Sequence, residues 1–101
     1  MTARPMLRRS REPEPRRKVR LALAELARQV VRGEDLDLEQ LDTAAASLPL
    51  CSLGPVRTAE LQQDIDQIRA AAALGQRVST RVSRLEADFG AAVRAADGGI
   101  R

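Results

Sequence analysis

Aromatic residues are almost missing from this sequence: Phe89 is the single Phe, and there is no Trp or Tyr. Platforms on which bases stack are therefore excluded, and a core must be assembled from Leu, Val, Ile and Ala. Histidine is absent as well, which removes the commonest general base and the imidazole metal ligand. Cys51 stands alone, so no intramolecular disulfide and no cysteine metal cluster can form. No apolar run approaches the roughly 20 residues of a membrane span, and the basic N-terminus is not followed by an apolar signal segment. No alternating β-branched run bounded by turn residues occurs, so a sheet has no raw material. These gaps lead to the expectation of a cytoplasmic, non-enzymatic protein without cofactor or metal.

What remains is rich in helix formers, chiefly Ala, Leu, Arg, Glu and Gln, and an all-α fold follows. The net charge of +3 is unevenly placed. Residues 1–20 carry eight basic and two acidic residues, giving +6, and the rest of the chain is at −3. Lys18 is the sole lysine, as a GC-rich coding genome would produce. Residues 1–15 hold Pro5, Pro13 and Pro15 among Arg and Glu, with only Met6 and Leu7 as bulky apolar residues. That composition offers too little burial to offset ordering entropy and predicts a disordered tail, followed by one helical domain over 16–97.

Beyond the tail, Val19, Leu23, Leu26 and Val30 recur at helical spacing, and Gly33 closes the segment with Arg28 and Arg32 in its last turns. Asp37 sits three residues before Gln40, as in a capping box, and Leu38, Leu41, Ala45 and Leu48 continue a second, short helix. Pro49 ends it. The stretch from Pro49 to Pro55 reads as a chain-reversing loop, with Pro55 at the first position of the next helix or Thr58 as a competing cap.

From there to about Ala96 the apolar positions Leu61, Ile65, Ile68, Ala72, Val78, Val82, Leu85, Phe89 and Ala92 or Val93 alternate spacings of three and four. One helix of about 40 residues, roughly 60 Å long at 1.5 Å per residue, is predicted. The stripe slips register between Ala72 and Val78, so a kink is expected near Gly75. That glycine is either a hinge, which alanine would stabilise, or a point of close helix approach, where an added methyl would clash. Asp97, Gly98 and Gly99 form a stop signal. The predicted architecture is a helical hairpin in which two shorter helices pack on one long amphipathic C-terminal helix.

Candidate chemistry is sparse. The carboxylates Glu34 with Asp35, and Asp64 with Asp66, stand one or two apart and so point in different directions on a helix. Solvated faces account for them. Cys51 has no local base or cation in its loop and reads as structural. Two features carry binding hypotheses. The long helix offers more apolar rungs than its partner helices can cover, so Ile65, Ile68, Ala72, Val78, Val82, Leu85, Phe89 and Val93 are expected to receive an amphipathic helix of a protein client or to mediate a homodimer. Alternatively, Arg8, Arg9, Arg11, Arg16, Arg17, Lys18 and Arg20 could bind nucleic acid or an acidic partner, although Glu12 and Glu14 interrupt the run and no base-reading fingerprint accompanies it. A self-assembling coiled-coil subunit is the third class.

The order of elements, with the local run Arg32-Gly33-Glu34-Asp35-Leu36 followed by Leu38 and Leu41, and the stretch Ala59 to Phe89, resembles the flagellar FlgN-type export chaperones. The resemblance covers most of the chain and consists of helical patterning. It implies a chaperone whose C-terminal helical region binds terminal helices of hook-associated proteins, here through Ile65, Ile68, Val78, Val82, Leu85 and Phe89. That family often carries a mid-helix Asn and a tail tyrosine. This chain has Ala70 to Ala73 and Gly75 in that stretch and no tyrosine.

Overall fold

A computed structural model describes residues 12–98, and all regular structure among them is helical. Four α-helices, α1 (Glu14–Val31), α2 (Leu38–Ser47), α3 (Pro55–Ala73) and α4 (Ser79–Gly98), are joined by short turns, with a 3-10 turn over Leu48–Cys51 after α2. Helix α1 packs on α2 and α4, and α3 packs on α4 and α2. The buried faces merge into one core: Val19, Leu23 and Leu26 from α1, Leu41 and Ala44 from α2, Leu61, Ile65 and Ile68 from α3, and Val82, Leu85 and Phe89 from α4. Each fully buried Leu, Ile or Phe contributes roughly 1.5–3 kcal/mol relative to exposure. A chain with one aromatic residue thus builds its interior from aliphatic rungs.

The expected disordered tail over 1–15 needs revision where it can be seen. Residues 1–11 lie outside the described part, but Glu12 to Pro15 are folded. Helix α1 starts at Glu14 with Pro15 in its first turn, where a missing N–H costs nothing. The Arg17 N–H donates to the Pro13 carbonyl at 3.1 Å, and Arg20 Nε donates to Glu12 Oε1 at 2.6 Å.

Helix α1 ends as its sequence dictates. Arg32 is the cap, Gly33 adopts φ +73°, and the N–H groups of Gly33 and Glu34 return to the carbonyls of Val30 and Gln29 at 3.1 and 2.9 Å. That pair of bonds is the Schellman closure, which needs a left-handed residue best supplied by glycine. Helix α2 is capped by Asp37, whose Oδ1 accepts from the Glu39 N–H at 2.9 Å. The reciprocal half of the expected capping box is made differently: the Asp37 N–H donates to Gln29 Oε1 of α1 at 3.0 Å, not to Gln40. Pro55 opens α3 behind Gly54, and Thr58 is not its cap.

The single long C-terminal helix does not exist. It stops at Ala73 and restarts at Ser79, so the fold has two helices where one was predicted. The cause is Gly75, which has φ +75° and closes α3 with the same Schellman pair, its N–H to Ala72 at 3.0 Å and that of Gln76 to Ala71 at 2.9 Å. The Val78 carbonyl then accepts from the Val82 N–H at 2.8 Å as α4 begins. The register slip at Ala72 to Val78 marks a chain reversal instead of a kink. A methyl added at Gly75 would meet nothing within 4 Å, which removes close packing as its reason, and the left-handed backbone means alanine would strain the turn instead of stabilising a helix.

Candidate functional site

Because the chain folds back at Gly75, the apolar stripe expected to face a client faces the protein itself. Ile65, Ile68, Val78, Val82, Leu85 and Phe89 are buried core residues, and Ala72 and Val93 are partly buried against them. The prediction of an uncovered half-stripe rested on a straight helix outrunning its neighbours. With the helix halved, α3 and α4 cover each other and α1 and α2 close the remainder. The structure brings these eight residues together as an interior, not as a surface.

The basic run divides. Arg8, Arg9 and Arg11 lie outside the described residues. Arg16 is only 7% exposed and structural: its Nε donates to the Cys51 carbonyl at 2.9 Å, and its Nη1 donates to both carboxylate oxygens of Asp97 at 2.8 Å. One guanidinium thereby ties the start of α1, the 3-10 turn and the end of α4. Arg20 pairs with Glu12, while Arg17 and Lys18 are exposed on α1. Nothing in the spacing of the run distinguished Arg16, yet it lies three residues before Val19 on the buried face of α1, and that position was the available signal.

Cys51 is buried, and its Sγ lies 3.3 Å from the Ser47 carbonyl as donor. Burial pushes its thiol above the ordinary range, opposed in part by Arg16. A thiol held protonated is a poor nucleophile. Among the described residues no group of three or more acidic or cysteine side chains is placed to hold a metal, and no helix is long and apolar enough to cross a membrane.

Two surface features stand out, one at the N-terminal end of α3 and one alongside its C-terminal half. At its N-terminal end the chain turns through Pro49 to Pro55. Leu53 anchors this corner in the core, and Leu50 and Val56, on either side of it in sequence, are 67% and 69% exposed. A shallow groove of about 570 Å³ runs from Pro49 and Leu53 along Pro55, Ala59 and Gln62. Ser52 holds φ +58° and Gly54 φ +91°, so the corner is fixed by two left-handed residues between two prolines. Gln62, at the far end of the groove, is held by its Nε2 donating to the Ala45 carbonyl at 2.8 Å. From the middle of α3 toward its C-terminal end, α3 and α4 enclose a basic cleft at Arg77, Arg81 and Arg84. Neither was singled out from the sequence, where Leu50 fell within the Pro49 to Pro55 loop and Val56 and the three arginines carried no expectation.

Comparison with known proteins finds no family model, no curated protein and no solved structure that matches this chain.

Proposed function

We propose that the protein is a small helical adaptor that docks a short amphipathic segment of a partner protein at the Pro49–Pro55 corner. The observation that carries this reading is a groove whose walls are fixed by proline and left-handed backbone, with the exposed aliphatic side chains Leu50 and Val56 next in sequence to its lining residues. Rigid walls lower the entropy cost of binding, and Leu-type anchors gain about 25 cal/mol per Å² of apolar area covered. The groove spans residues 49–62, well short of the 20–30 residues a side of a standard protein interface. A second copy of this chain would find too little to hold, whereas one helix or extended segment with two apolar anchors fits.

A photo-crosslinking residue at Ser52 in the full chain, expressed in its native cells, tests the proposal. A discrete crosslinked partner, lost in Leu50→Asp/Val56→Asp at unchanged circular dichroism, is expected. A crosslink indifferent to those substitutions would sink the reading. The FlgN-like alternative, a chaperone that receives a client helix on the Ile65 to Val93 stripe, requires α4 to leave α3. Bridging the two helices with a short bismaleimide linker through Gln67→Cys and Arg81→Cys, whose native side chains meet tip to tip at 3.4 Å, separates the two. Capture that survives the lock belongs to the corner, and capture abolished by it belongs to the opened stripe.

A further inference from the structure

Arg81 and Arg84 stand three residues apart in the first turns of α4, and Arg77 lies in the turn just before it; all three line one hollow. Like charges held this close repel one another, and the Arg81 and Arg84 pair weakens its own helix. Five other arginines, Arg16, Arg20, Arg28, Arg32 and Arg69, offset such cost by pairing with carboxylates. Among the described residues none of the three cleft arginines has a carboxylate within 4 Å. They line a cleft of about 320 Å³ between α3 and α4, together with Asp64, Gln67 and Thr80. Gln67 Oε1 accepts from Arg81 Nη1 at 3.4 Å, which steadies one guanidinium across the opening. Three cations against one carboxylate leave the cleft at +2.

The geometry points to this cleft as a binding site for a single phosphate group carried by a small ligand. A guanidinium fork matches two phosphate oxygens at once, and three forks converging on one hollow supply more donors than a dianion can use. The Thr80 hydroxyl adds a further donor. The volume lies at the low end of small-ligand clefts, which suits a compact monoester. A nucleic-acid backbone fits poorly, because it needs a track of cations along successive phosphates. Here the basic area is bounded by the adjoining hollow, whose wall carries Glu60 and Asp88. This site shares no lining residue with the protein-docking corner and stands independently of it.

Titration of isotope-labelled full-length protein with inorganic phosphate or phenyl phosphate, at ionic strength held constant with chloride, tests the assignment by NMR. Saturable shifts confined to the Arg77, Arg81 and Arg84 side chains and to the amides around Thr80 are expected. Arg81→Ala/Arg84→Ala should weaken binding by about tenfold or more, as loss of charge-assisted donors predicts. Lys18→Ala, outside the cleft, should leave it unchanged, and Asp64→Asn should tighten it by removing the opposing charge. Tighter binding of phenyl phosphate identifies an organic ester as the ligand type, and equal binding identifies free phosphate. Shifts reproduced by chloride alone, shifts spread over every arginine, or a DNA duplex that binds through the same arginines more tightly than either phosphate would each overturn the proposal.

Discussion

The two glycine turns, at Gly33 and Gly75, have nearly the same backbone and different means of support. In each the last turn of a helix is closed by a Schellman pair, and a new helix starts within five residues. The residue whose carbonyl receives the outer bond is Gln29 in the first and Ala71 in the second. Gln29 also sends its side-chain oxygen across the turn to the Asp37 N–H, clamping helix end to helix start. Ala71 has nothing to send. The second turn is held instead by Val78, buried as an apolar plug, and by the packing of α4. One junction is thus fixed by polar chemistry local to the turn, the other by the core beyond it.

The largest effect should come from attacking the support of the second turn. Val82→Asp places a carboxylate without a partner in the core and should cost roughly 3 kcal/mol or more in a urea melt. Val31→Asp, at an 85% exposed position beside the first turn, should stay within about 0.5 kcal/mol. Next come the glycines themselves: Gly33→Ala and Gly75→Ala should each lose about 1–2 kcal/mol, because both force a β-carbon into the left-handed region. A Gly75→Ala protein as stable as the parent would show that α3 and α4 can fuse into one rod. Smaller again, Gln29→Ala should cost about 1 kcal/mol and speed hydrogen exchange at Asp37, while Ala71→Asn at the matching position gives no gain.

Acid titration gives the smallest and most telling contrast. Arg28, by hydrogen bond first and charge second, holds the Glu25 carboxyl below its ordinary value of 4.5, against a desolvation effect that raises it. Its contribution is complete above that value and fades as pH falls through the lowered one. Asp64 behaves oppositely. Burial first, then Asp88, lifts its carboxyl above 3.8, with Arg84 opposing. The folded state therefore binds that proton more tightly, and stability from this site rises as pH falls through the raised value. Substituting Asp64→Asn should remove only the second slope from a pH series of melts, and Glu25→Gln only the first.

The same contrast explains what the sequence made legible. The first turn announces itself through Gly33 and the helix-starting Asp37, two signals four residues apart. So does the start of α3, through Pro55. At the second turn Gly75 follows four alanines and Leu74 and precedes no acidic cap, and the apolar rungs on both sides keep helical spacing because both sides are buried. Periodicity reports burial, not continuity, so a reversal between two buried helices looks like one long helix with a slip. From that single misreading came the exposed stripe and the client site on it. Arg16 was hidden for a related reason. A long cation with an apolar stem is assigned to solvent by its type, and only the distant Cys51 carbonyl and Asp97, unknowable from local pattern, make its burial affordable.

That guanidinium also makes the folded chain a nearly closed ring. Arg16 is two residues from the beginning of α1 and Asp97 one from the end of α4, so the two ends of the helical region meet at one pole across a single ion pair. A ring may be cut elsewhere. A gene in which a short flexible linker joins residue 98 to residue 12, with new ends opened between the exposed Gln76 and Arg77, preserves every core contact and the order of helices around the circle. Such a permutant should melt as one cooperative unit.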